Sequence, residues 1–150
     1  MKGFVFRLER LLELRSTAER ERAQALGHAM RQEETQRQAL EDASERLGSC
    51  NDQIAGVLDG VAPAGALTNL RLAIDAAMRQ VDSAAVSHQA ALDQMQQERE
   101  LFSQARVERR VVERLREKRR AAWTEEASRV EQSESDSVAR NRRSTSGRSK

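Results

Sequence analysis

The sequence predicts an all-α fold: a long antiparallel two-helix coiled-coil hairpin followed by a disordered basic C-terminal tail. Three observations carry this prediction. Apolar residues recur every seven positions through Val5, Leu12, Leu26, Leu40, Leu47, Ile54 and Val61, across polar exceptions at Glu19 and Glu33, and again through Leu67, Ile74, Val81, Met95 and Phe102. The only proline, Pro63, stands between the two repeats. Aromatic residues make up 3% of the 150 residues and charged residues 33%, too little bulk for a thick core but enough for a narrow seam. Small or apolar residues three positions on (Leu8, Ala29, Ala43, Cys50 and Val57, then Leu70, Ala77, Ala84, Ala91 and Ala105) complete the a/d pattern of a coiled coil. Full disorder would give no reason for a sustained register.

The first helix is expected from about Phe4 to about Leu58. Gly27, Gly48 and Gly56 each weaken it by about 1 kcal/mol relative to Ala, and none is joined by a second breaker. The turn is Asp59 to Gly65, where Gly60 can end a helix in the left-handed conformation and Pro63 suits the start of the next. The second helix follows from about Ala66 to about Glu131 or slightly beyond. Residues 1–139 thus form the hairpin, and 140–150, rich in Ser and Arg, form the disordered tail. At 1.5 Å per residue the two helices would be on the order of 80 and 100 Å long.

A short turn demands antiparallel pairing, so facing residues should have numbers that sum to about 125. That arithmetic sets Glu19 near Arg106 and Arg109, Glu33 near Leu92, and Gln36 near His88 and Gln89. It also sets Trp123 beside Phe4 and Phe6, gathering most of the aromatic volume away from the turn. Near Leu101 the apolar positions shift toward Ala105, Val112 and Leu115, which reads as a register adjustment.

Net charge is +2, but its distribution is uneven. Residues 33–59 lean acidic, 99–120 lean basic, and no acid follows Asp136. The lone cysteine, Cys50, falls on the seam as a small core residue of a reducing compartment. No apolar run is long enough for a membrane span, and charge arriving by Arg7 denies the N-terminus a signal-peptide core. A cytoplasmic protein is expected.

Catalysis is not expected. His28, His88 and Cys50 lack metal-ligand spacing, no glycine-rich phosphate loop is present, and a two-helix seam offers no pocket to assemble catalytic groups. The reading is of a protein with no cofactor, no metal and no catalytic residue. The stretch Arg106 to Arg120 suits an acidic protein surface better than DNA. Glu108, Glu113 and Glu117 interrupt it, Val111, Val112 and Leu115 are expected to commit one face to packing, and it lies within the paired region. Two further patches have apolar residues to spare: Phe4 to Arg15, with Phe4, Leu11 and Leu14 off the seam, and Ala66 to Ile74, notably Leu72.

The opening Phe4-Val-Phe-Arg-Leu-Glu-Arg-Leu-Leu-Glu-Leu-Arg15 resembles the start of the flagellar export protein FliJ family. Arg109 to Trp123 resembles its second block, and Arg129 to Asp136 with Ala139 its closing block, with Ser137 where many members carry Glu. The resemblance implies a non-catalytic, stalk-like coiled coil of the flagellar type III export apparatus. Such a protein engages the export ATPase hexamer, the cytoplasmic part of the export gate membrane protein, and export chaperones, with no nucleic acid. It would be a monomer when isolated, cytoplasmic and peripherally associated with the inner face of the cell membrane. It would serve flagellum assembly, motility and chemotaxis. Carried onto this chain, Phe4, Arg7, Arg109, Arg110, Arg114 and Arg116 become candidate ATPase contacts, and Leu67, Leu70, Leu72 and Ile74 candidate gate contacts. Two other readings are a nucleic-acid-binding helical protein and a self-associating structural coiled coil. A salt-sensitive shift of DNA marks the first, and a dimeric mass in solution the second.

Overall fold

The computed structural model describes the backbone of residues 3–58, 60 and 63–146, and the side chains of 3–57, 60, 63 and 65–138. Two helices, α1 (Glu9–Leu58) and α2 (Ala64–Ser146), pair antiparallel. No strand occurs among the described residues. The chain divides into two compact units: a terminal unit of Met1–Glu19 with Ala105–Lys150, and a central unit of Arg20–Gln104.

Five cross-helix ion pairs among the described residues give the pairing. In the central unit Glu33 meets His88 at 3.0 Å, and Arg22 lies 3.8 Å from Glu98. These pairs sum to 121 and 120. In the terminal unit Arg15 meets Glu108 at 2.5 Å and Arg116 meets Glu9 at 3.3 Å, with sums of 123 and 125. Glu19 with Arg109, a fifth contact, sums to 128. The expected match of Glu19 to Arg109 is therefore present, whereas Glu33 meets His88, about one helical turn from the expected Leu92. The division between the units falls at Gln104 and Ala105 on α2, within a turn of the register adjustment expected near Leu101.

Burial is as narrow as two helices allow. In the central unit the buried residues are Ala29, Ala43, Ala77 and Ala91, all on the secondary, small-residue set of the heptads. Leu26, Leu40, Leu47, Ile54, Ile74, Val81 and Met95 on the main stripe are half-buried. A methyl side chain at the seam lets two backbones approach, and the longer side chains beside it remain partly wet for want of a third layer. Cys50 is a free, half-buried thiol.

The N-terminus departs from the sequence expectation. α1 starts at Glu9, not near Phe4, and Val5 is 82% exposed. The reason is the Phe-Val-Phe spacing. Residues two apart share a face only in extended backbone; on a helix they diverge. Extended, Phe6 is buried with Leu12 and Val112, Phe4 packs against that cluster, and Val5 points away. The Phe6 carbonyl then accepts the Glu9 amide at 3.1 Å, which starts the helix.

The turn departs in one respect as well. Gly60 has no positive φ, so it does not end α1 in the left-handed conformation. Its amide donates to the Val57 carbonyl at 3.3 Å. Pro63 immediately precedes α2, and its carbonyl accepts the Ala66 amide at 2.9 Å. Residues 59, 61 and 62 of the expected turn lie outside the described residues.

α2 continues past the expected end near Glu131 to Ser146. Neither Gly nor Pro occurs between Gly65 and Gly147, so nothing interrupts helical backbone before that glycine. The tail expected at 140–150 falls on side chains, and from 147 on backbone, outside the described residues. Among the described residues no helix is long and apolar enough to cross a membrane.

Two substitutions test the seam. Ala43→Leu, at a position only 4% exposed, should destabilise the protein by about 1–3 kcal/mol through overpacking. Leu12→Ala should cost about 2–5 kcal/mol by emptying the terminal cluster. Urea unfolding followed by circular dichroism measures both.

Candidate functional site

The terminal unit holds the densest chemistry. Its apolar centre is Phe6, Leu12 and Val112 with Phe4 against them. Burying each such side chain contributes about 1.5–3 kcal/mol. Phe4 also meets Trp123, the ring centroids 6.0 Å apart and the planes tilted by 52°. That geometry is within the favourable range for aromatic pairs and adds about 0.5–1.5 kcal/mol. The aromatic clasp expected across the two helices is thus formed by Phe4 and Trp123.

Around this centre Arg109 is the organising cation. Its Nε donates to Glu19, and its Nη1 donates to Glu113 at 2.7 Å. The hydrogen bond to Glu19 chiefly holds the guanidinium above its ordinary range; burial opposes it, and the charges of Glu19 and Glu113 reinforce it. With side chains 24% and 19% exposed, Arg109 and Glu19 occupy seam positions that a two-helix core would otherwise fill with aliphatics. Arg15–Glu108 and Arg116–Glu9 lie farther out, at about 40% exposure, where ion pairs contribute little stability and mainly mark register. On the solvent face of α1, Arg37 forks onto Glu34 at 2.6 and 3.0 Å, which together with Gln38 lowers the Glu34 pKa.

The part of the central unit next to the turn is different in kind. Gln53 and Val57 of α1 and Ala66, Asn69, Leu70 and Ala73 of α2 line a shallow, mostly apolar groove of about 540 Å³. Leu67 and Leu72 are 40% and 62% exposed beside it, and Ile74 is half-buried. Among the described residues no three His, Cys, Asp or Glu side chains gather as metal ligands.

A family model described as flagellar FliJ protein matches residues 4–148. The chain belongs to the FliJ family. It is accordingly a component of the flagellar export machinery. No curated protein and no solved structure matches the chain.

The blocks that resemble other FliJ proteins converge in the terminal unit, where Phe4 to Arg15 and Arg109 to Trp123 share one apolar cluster and the Arg116–Glu9 ion pair, while Arg15 and Arg109 reach Glu108 and Glu19 just outside the blocks. The candidate contacts drawn from them separate into two groups. Phe4, Arg109 and Arg116 are engaged within the chain. Arg7, Arg110 and Arg114 are exposed with no ion-pair partner among the described residues. The gate candidates separate likewise: Leu70 lines the groove, Ile74 is half-buried, and Leu67 and Leu72 face solvent. Sequence reasoning assigned Val111 and Leu115 to packing with Val112. Only Val112 is buried; Val111 is 63% and Leu115 36% exposed. The heptad labels held the signal, since Val112 alone of the three continues the spacing of Ala91 and Ala105.

Arg109 and Glu19 should behave as a register lock. Arg109→Glu and Glu19→Arg should each lower the melting temperature, and the double swap should recover most of the loss. Recovery absent from thermal melts of the swap would show that position, not charge pairing, matters there.

Proposed function

We propose that this FliJ-family chain is a non-catalytic, cytoplasmic, stalk-like component of flagellar export. In this reading the terminal unit engages the export ATPase ring and the turn-proximal face of the central unit engages the export gate. The observation that carries it is the division of labour among the basic residues. Arg109 and Arg116 hold the helix pair together, whereas Arg7, Arg110 and Arg114 keep their charge for a partner. A partner with an acidic surface would gain charge-assisted hydrogen bonds without disturbing the seam.

The turn-proximal groove, flanked by Leu67 and Leu72, offers apolar area and little charge. Such a patch suits a protein contact of modest size, which is the role given to the gate. Delivery of chaperone-bound substrates follows from a component that touches both the ATPase and the gate, and makes flagellum assembly and motility its physiological readouts. Association with the inner face of the membrane would be indirect, through the gate.

Mixing the chain with its cognate export ATPase should promote hexamer formation and raise hydrolysis. Arg110→Glu combined with Arg114→Glu should abolish the stimulation while leaving the melting temperature within a few degrees. No complex with the wild-type chain would overturn the ATPase assignment. Leu72→Ser should weaken binding to the cytoplasmic part of the gate several-fold in a pull-down or titration, and leave ATPase stimulation intact. Equal gate affinity in that variant would remove the turn-proximal face from consideration.

A further inference from the structure

On α2 of the terminal unit two stripes run side by side. Val107, Val111 and Leu115 recur every four residues and are 59%, 63% and 36% exposed. Arg110, Arg114 and Lys118 follow them at three-residue offsets, and all are exposed. Positions three and four apart are neighbours on a helix, so each apolar side chain has a cation on its flank. The double stripe, Val107 to Lys118, extends for about 16 Å along the axis.

Among the described residues none covers it. α1 is met in this stretch by Val112, which is buried, and by Glu108, Arg109 and Arg116, which pair with it. The charge balance is equally one-sided. Within 3–19 and 105–123 the acids are Glu9, Glu13, Glu19, Glu108, Glu113 and Glu117. Glu9, Glu19, Glu108 and Glu113 are engaged by Arg116, Arg109 and Arg15. Among the described residues of those segments only Glu13 and Glu117 are left to balance the cations outside these pairs.

We infer that the Val107–Val111–Leu115 stripe and its flanking cations form a docking surface for an acidic amphipathic helix of another protein. The chemistry selects this occupant. A helix with an aliphatic stripe and carboxylates beside it covers the apolar side chains and neutralises the cations in one register. Single-stranded nucleic acid would want aromatic side chains for base stacking, and the stripe has none. A membrane surface would want a larger apolar face rich in Trp, Phe or Leu, and this stripe has two Val and one Leu. A second copy would bring like charges together. The inference rests on the export reading only in treating the terminal unit as a protein-contacting region.

The test uses the full chain and a labelled synthetic peptide of about four helical turns, with Leu spaced four residues apart and Glu beside each Leu. Fluorescence anisotropy at low salt should show saturable binding. The same peptide with Lys in place of Glu should bind at least about tenfold more weakly. V111S combined with L115S should weaken the Glu peptide about tenfold, with helix content and melting temperature unchanged. R110E, R114E and K118E together should reverse the preference toward the Lys peptide. Equal binding of both peptides, or wild-type affinity in the V111S and L115S variant, overturns the inference. So does binding of phosphatidylserine vesicles or duplex DNA through these residues with no peptide binding, and so does a dimer that the serine variant dissolves. The same serine variant is then mixed with the export ATPase. Loss of the peptide with a retained ATPase complex supports the docking surface and separates it from the ATPase contact. Loss of the ATPase complex with unchanged peptide binding overturns the inference and leaves the ATPase reading standing.

Discussion

Two helices with no third layer can remove only one stripe of each from water, and this limit governs the whole protein. A stripe that narrow, filled by Ala29, Ala43, Ala77 and Ala91 in the central unit, buries little area per turn. It also says little about register, because one alanine fits opposite another as well as the next does. The polar seam residues supply what the alanines lack. Glu19 with Arg109 and Glu33 with His88 are half-buried contacts between residues far apart in sequence. Sliding either helix by a turn would leave a carboxylate facing an apolar neighbour, at a cost well above that of an exposed pair.

The two units differ in chemistry. In the terminal unit the extended Phe-Val-Phe segment folds Phe4 and Phe6 onto Leu12, Val112 and Trp123. That closure holds the FliJ-family blocks in one place and commits Arg109 and Arg116 to the chain itself. The cations that remain free are those with no seam position. In the turn-proximal part of the central unit glycines are frequent, and the exposed Leu67 and Leu72 are flanked by charges of opposite sign, Arg71 and Asp75. The contrast between a basic apolar surface and one of balanced charge is the ground on which two distinct partners are proposed.

Much of this was legible in the sequence because heptad spacing and antiparallel arithmetic are insensitive to detail. Pairing Glu19 with Arg109 needed only the position of Pro63 and a constant sum. What failed did so where local conformation leaves the helix or where one heptad label decides. Val5 continues the seven-residue repeat on paper, yet it precedes α1, so helical periodicity does not apply to it. Val111 and Leu115 look like packing residues beside Val112. In an apolar run of β-branched residues only the heptad label tells the seam residue from its neighbours.

The sequence by itself determined the all-α class, the two helices, the antiparallel pairing and the family, because each rests on periodicity, on one proline or on ordered blocks of residues. The tertiary structure decided which arginines are spent. Arg109, Arg110, Arg114 and Arg116 are equivalent as letters in a basic stretch. They separate only when α1 brings Glu19 and Glu9 to two of them and leaves the other two in water. Carboxylates some 90 residues away in the chain made that choice, and no local pattern around an arginine can report them.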